Sequence, residues 1–181
     1  DVYKRQIQML TVLIGRTTDS QGTFGNGHYS GGTQASHLHT TGALNTKGLF
    51  WGSSGNEGIK MFGQENATGD RWERIAGWIN VSGTQKIKLT YGTEDGSTAT
   101  GYNETGSGYI AIGAAPSGTS GGYISKAALT QWGIFPCEAS GSSSTFYCDG
   151  LWFNNGQTDY ALVGGACFNG SLVGAFASTL H

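Results

Sequence analysis

The sequence predicts an α+β domain: a twisted antiparallel sheet with one or two helices and long Gly/Ser-rich loops. Three observations predict it. Apolar residues recur at the two-residue period of a strand in several stretches, but at helical spacing in one stretch near the start. Glycine is frequent (32) and proline scarce (2), which marks many tight turns and ordered loops. Apolar residues fill 37% and aromatic residues 12% of the 181 positions, enough for one core and too many for a disordered chain.

Residues 1–6, DVYKRQ, match the translation of a transposon-end adapter used in preparing sequencing libraries, and are set aside as a scar. The chain is then expected to be a fragment whose natural start lies elsewhere, with Met9 as an internal candidate. In Ile7–Gly15, residues Ile7, Leu10 and Ile14, with Met9 and Leu13, fall at spacings of three and four. This predicts a scaffold helix stopped by Gly15. Residues 19–46 are rich in Gly, Ser, Thr and His and read as a loop, so 7–46 form a leader and 47–181 the domain proper.

Leu49–Trp51 and Ile59–Phe62 read as short strands around a polar turn. Gly63–Ile79 runs from turns into a strand bearing Trp72, Ile75 and Trp78. Gln85–Tyr91 alternates, with Ile87, Leu89 and Tyr91 on one face and Lys86, Lys88 and Thr90 on the other. Residues 92–122 read as one long glycine-rich loop anchored by Tyr102 and Tyr109. Ile124–Ile134 fits a strand and a short helix equally, and Thr145–Phe153 reads as a strand. After the turn Asn154–Gly156 comes the apolar run Tyr160–Val163, then a segment spaced by Gly164, Gly165, Gly170 and Gly174. Glycines there set the backbone path, and the residues between them decide what it touches.

Charge and motif content narrow the function. The charged fraction is 12% and the net charge −2, which gives no attraction to nucleic acid or to an anionic membrane. No apolar run is long enough for a membrane helix, so neither nucleic-acid binding nor membrane insertion is expected. Cys137, Cys148 and Cys167 form an odd set without a CxxC, which supports neither a disulfide framework nor zinc, although Cys137 and Cys148 could pair across a loop. His37 and His39 lack acidic or thiol neighbours and make a poor metal pair. Glu65, Asp70 and Glu73 could supply a glycosidase-like carboxylate pair, but they equally suit loop amides or pairing with Arg71 and Arg74. GxSxG, HExxH and P-loop motifs are absent. The expectation is therefore a non-enzyme with no cofactor and no metal. Sequons at Asn66, Asn80, Asn103 and Asn169 carry no weight in so Ser- and Thr-rich a chain.

Two motifs carry a resemblance. Gly69-Asp70-Arg71-Trp72-Glu73 resembles the GN-x-WE core of the formylglycine-generating-enzyme type of C-type-lectin fold, and Leu162–Ala166, LVGGA, resembles that superfamily's RV-x-RGGS strand. Gly164, Gly165, Gly170 and Gly174 match the glycine spacing of the hypervariable segment in phage receptor-binding proteins diversified by a retroelement. NTKGLFWG, IKMFGQEN, GYISK and DGLWFNN are similar to stretches of tail-associated proteins from gut prophages. The resemblance spans roughly residues 45–181. It implies a receptor-binding module in a virion tail, extracellular when acting and made in the bacterial cytoplasm. Its implied partners are a host cell-surface protein or glycan and other tail proteins, with a homotrimer by family analogy. A structural virion protein and a cell-surface glycan depolymerase stay as alternatives.

The resemblance assigns scaffold roles to Trp72, Trp152, Gly164, Gly165, Gly174 and Ala175. It assigns the binding face to Ala166, Cys167, Phe168, Asn169, Ser171, Leu172, Val173, Phe176, Ser178 and Thr179. Retroelement mutagenesis of AAC codons yields NNC codons, which never encode Lys, Glu, Gln, Trp or Met. None of the five occurs in Thr158–His181, whereas they fill 27 of the 157 positions before it. A small-residue strand-and-turn segment would also avoid them. The second cysteine used by the superfamily's oxidases is replaced by Leu172, and the EPN, QPD and WND motifs of calcium-dependent lectins are absent. The strand that should close the sheet is expected to be missing, leaving an unpaired edge.

Overall fold

The computed structural model describes residues 2–20, 42–52, 58–88, 102–114, 117–118, 121–144 and 147–180. Among the described residues the fold is mostly sheet with one α-helix, α1 (Val2–Leu13), which comes first. The strands are β1 (Lys60–Met61), β2 (Gln64–Glu65), β3 (Glu73–Val81), β4 (Thr84–Ile87), β5 (Ile110–Ala114) and β6 (Ser117–Gly118). Then follow β7 (Gly121–Tyr123), β8 (Lys126–Thr130), β9 (Gly133–Ala139), β10 (Gly150–Phe153), β11 (Thr158–Val163) and β12 (Ser178–Leu180).

Seven strands form the central sheet in the order β5-β4-β3-β11-β12-β10-β7. It is mixed: β12 pairs antiparallel with β11 and parallel with β10. The last described residues, 178–180, form β12 in the middle of the sheet, and its edge strands among the described residues are β5 and β7. Two short sheets accompany it, β6-β9-β8 and the hairpin β1-β2.

Strand β11 shows how the sheet sorts its faces. Asp159, Ala161 and Val163 are buried, and Thr158, Tyr160 and Leu162 alternate with them on the half-exposed side. Cross-strand register carries the pattern onward. Leu151, Ser178 and Val163 lie in one row, and Phe153, Leu180 and Ala161 in the next, all buried. These side chains join Ile7, Ile59, Met61, Ile124 and Phe176 in one core. Full burial of Phe176, 1% exposed, is worth about 3 kcal/mol. Beneath β3 and β4, Trp78 meets Phe135 edge-on at 5.1 Å and donates its indole N–H to Gln85 Oε1 at 3.1 Å. Gln85 in turn donates to the Pro136 carbonyl at 2.7 Å, so the buried amide is satisfied at both ends.

Several sequence expectations shift. The helix runs from Val2, through the stretch set aside as a scar, and ends at Leu13; Arg16 takes the left-handed turn (φ 50) rather than Gly15. Its buried line is Ile7 and Thr11, four residues apart, while Met9 and Leu13 are 54% and 65% exposed. At about 3.6 residues per turn those two lie opposite Ile7. The polar face won because Gln8 Nε2 donates to the Ala175 carbonyl at 2.9 Å and Thr11 Oγ1 donates to the Ile7 carbonyl at 2.7 Å.

Residues 92–122 are not one loop: their described part holds β5, β6 and β7, whose glycines hide the strand pattern. Ile124–Ile134 spans a hairpin turning at Gln131–Trp132 between β8 and β9. Of Thr145–Phe153, the described residues 147–153 join a sheet only from Gly150, because Cys148 adopts a left-handed φ of 48°. Gln85 and Ile87 are buried as alternation requires, while Leu89–Tyr91, His37 and His39 lie outside the described residues.

Candidate functional site

The outer face of the central sheet carries a continuous row: Trp152 of β10, Thr179 of β12, Leu162 of β11 and Arg74 of β3 are register partners. Trp152 is the largest of them, and two glycines decide how it lies. Gly121 is its cross-strand partner on β7, and Gly150 precedes it by two on the same strand, so both share its face. A Cβ on Gly121 would strike the pyrrole side of the indole, and a Cβ on Gly150 would sit 2.6 Å from its benzo edge. The ring therefore lies along the backbone of β7 and β10. Trp72, just ahead of β3, meets it edge-to-face at 5.5 Å and 89°.

These two tryptophans form the wall and floor of an open groove of ≈ 670 Å³. Leu162 and Thr179 continue its floor, and Asn154 and Asn169 stand at its rim. Asn154 Oδ1 accepts from the Gly156 N–H at 3.0 Å, and Asn169 Oδ1 accepts from the Ala166 N–H at 2.7 Å. Each oxygen keeps a second lone pair, and each carboxamide also carries an NH₂ group as a donor. Further along the face, the Arg74 guanidinium lies 5.7 Å from the Tyr160 ring centre.

A hub of glycines brings the two sequence motifs together. The Gly69 N–H donates to the Gly164 carbonyl at 3.0 Å, and the Gly164 N–H donates to the Ala177 carbonyl at 2.9 Å. Gly69, Gly164 and Gly165 have φ of 86°, 91° and 77°, the left-handed region that favours glycine. The chain then makes a 3-10 turn over Cys167–Leu172 and returns through Val173–Ala177 into β12.

Sequence reasoning missed the residue that holds this return. Asp149 is fully buried, and its Oδ2 accepts from the Phe176 N–H at 2.7 Å. Ser20, also buried, donates to the same oxygen at 3.5 Å and accepts from the Ala175 N–H at 2.9 Å. Gly174 is required because a Cβ there would overlap the Asp149 carboxylate. The one available signal was an acidic residue opening the apolar strand Gly150–Phe153.

The predicted binding face is accordingly split. Ala166, Val173, Phe176 and Ser178 are 0%, 1%, 1% and 1% exposed, so as side chains they pack inward and form no broad exposed face, and Thr179 on the outer face is only 7% exposed. Thr179 still reaches the floor of the groove. Phe168 is 52% exposed, Ser171 is exposed, and Asn169 and Leu172 are half-buried. Ser171 Oγ lies 2.6 Å from the Tyr123 hydroxyl. Leu172 packs beside Gly150, which sets the turn next to Trp152. The side chain of Cys167 lies outside the described residues. Of the scaffold set, Trp72 and Trp152 define the groove, while Gly164, Gly165, Gly174 and Ala175 are buried in the hub.

Glu65 accepts from the Gly42 and Leu44 N–H groups, both at 2.8 Å, so it closes a turn on the 42–44 backbone. Glu73 is exposed at the start of β3. Cys137 and Cys148 are not joined in a disulfide, and burial pushes both thiols up. Among the described residues no group of three or more His, Cys, Asp or Glu is placed to hold a metal, and no helix is long and apolar enough to cross a membrane. Compared with known proteins, the chain matches no family model, no curated sequence and no solved structure.

Proposed function

We propose that the chain is the receptor-binding module of a phage or prophage tail protein, with a C-type-lectin-like fold that displays a variable turn to the host cell surface. The observation that carries this reading is the contrast between the Cys167–Leu172 turn and its bed. The turn offers Phe168 and Ser171 to solvent, while the residues on either side are buried and hydrogen-bonded. Such an arrangement lets side chains change without disturbing the backbone that presents them. The partners are a host surface protein or glycan and other tail proteins, and repeated copies at a tail tip, a trimer among them, would turn modest single-site affinity into firm attachment. No cofactor takes part.

Sequencing many copies of the source locus tests the proposal. Substitutions should concentrate at Phe168, Ser171 and Leu172 and spare Ala166, Val173, Phe176 and Ser178. Even conservation across 166–179 would sink it. In parallel, Phe168→Ala and Ser171→Ala should reduce adsorption of the purified protein to host cells at least about tenfold, the range of a binding hot spot.

A further inference from the structure

We infer that the Trp72–Trp152 groove binds an uncharged pyranose unit of a glycan chain. This deepens the binding-module reading and rests on it for its biological setting, but its evidence is largely separate, since of the groove's described lining residues only Asn169 lies in the variable turn.

The lining decides the chemistry. The groove is bounded by two indoles, Phe153, Leu162, Thr179 and two carboxamides, and among the described residues no acidic or basic side chain lines it. A charged ligand would lose its hydration there without gaining a counter-charge. A purely apolar ligand would leave the Asn154 and Asn169 NH₂ groups covered and unanswered. A sugar ring meets both demands. Its C–H face suits the negative face of an indole, and its rim of hydroxyls accepts from amide donors.

The position of Trp152 supports the same ligand. Gly121 and Gly150 let the indole lie along the sheet, so one face rests on backbone and the other is turned away from it. The edge contact with Trp72 and the packing on two glycines hold the ring in place, so little side-chain freedom is lost on binding. The volume, ≈ 670 Å³, is that of a site for a ligand of disaccharide size. The open ends of the groove suit an internal unit of a longer chain.

The test is a titration of the purified protein with lactose, maltose, cellobiose and N,N′-diacetylchitobiose, with 3′-sialyllactose as the charged comparison. Tryptophan fluorescence and the indole N–H resonances report binding. At least one neutral disaccharide should bind saturably with a Kd of about 1 mM, typical of a small uncharged ligand on one site. The Trp72 and Trp152 resonances should move while those of the core Trp78 stay still. Trp152→Ala should weaken binding at least about tenfold. Asn169→Asp keeps the oxygen that accepts from Ala166 and removes the NH₂ donor, so it should fold normally and still bind several-fold more weakly. A folded protein whose Trp72 and Trp152 resonances ignore every neutral sugar overturns the proposal, as does tighter binding of sialyllactose or full affinity in both variants. If Phe168→Ala abolishes cell adsorption while the groove ignores sugar, this inference falls and the module stands. Sugar binding in the groove without any cell adsorption gives the reverse.

Discussion

Asp149 is where one residue controls the most structure. Its buried carboxylate takes the Phe176 N–H, and the Ser20 hydroxyl on the same oxygen takes the Ala175 N–H. Two backbone donors of the return into β12 therefore depend on one side chain that begins the approach to β10. Asp149→Ala should cost about 3 kcal/mol in chemical denaturation, because it strands two buried donors, the Phe176 N–H and the Ser20 hydroxyl. Gly174→Ala should cost a comparable amount, since its Cβ would overlap that carboxylate. If Gly174→Ala unfolded at wild-type denaturant concentration, the packing of carboxylate over glycine would be disproved.

At the level of elements, the 167–172 turn and the segments around it should respond oppositely to substitution. Phe168→Ala and Ser171→Ala change side chains that meet solvent, so each should shift stability by no more than about 0.5 kcal/mol. Phe176→Ala empties a filled core site and should cost about 3–5 kcal/mol. Equal losses at Phe168 and Phe176 would mean that the turn is part of the core. Helix α1 belongs to the same argument, because Gln8 reaches the Ala175 carbonyl and Ile7 enters the core. Removing residues 2–14 should lower the melting temperature markedly; a change of less than about 2 °C would show the helix to be a detachable leader.

For the whole molecule, buried and half-buried acids set the response to pH. Cys137, Cys148, Tyr109 and Tyr147 all hold their protons more tightly in the fold, chiefly because burial disfavours their anions. A raised acid contributes stability that is complete below its unfolded pKa and is lost as pH rises through the folded value. Stability should thus be flat through neutrality and decline from about pH 8.5 upward, first through the thiols and then through the phenols. Cys148→Ser should flatten the first part of that decline, and an unchanged alkaline limb in the variant would exclude Cys148 from it. At the acid end, exposed Glu138 is held down by hydrogen bonds from Ser140 and Ser125, so its small contribution disappears as pH falls below the ordinary carboxylate range.

The predominance of strands and the early helix were legible in the residues, because alternation and helical spacing are local signals. In Thr158–Val163 the apolar run marked a strand, but which residues face inward came from the sheet. Local signals failed where partners are distant. Whether Gln8 or Met9 faces inward depends on a carbonyl 167 positions away, and Gln8 won because it can answer that acceptor. Asp149 has no meaning until Ser20 and Phe176 are beside it. The binding face was drawn along the chain, yet a return into mid-sheet buries Val173, Phe176 and Ser178 by tertiary packing that no spacing rule contains. Periodicity tells which residues share a side of an element. Only the pairing of β12 between β10 and β11 told which side meets solvent, and that placed Trp152, Thr179 and Leu162 in one open row.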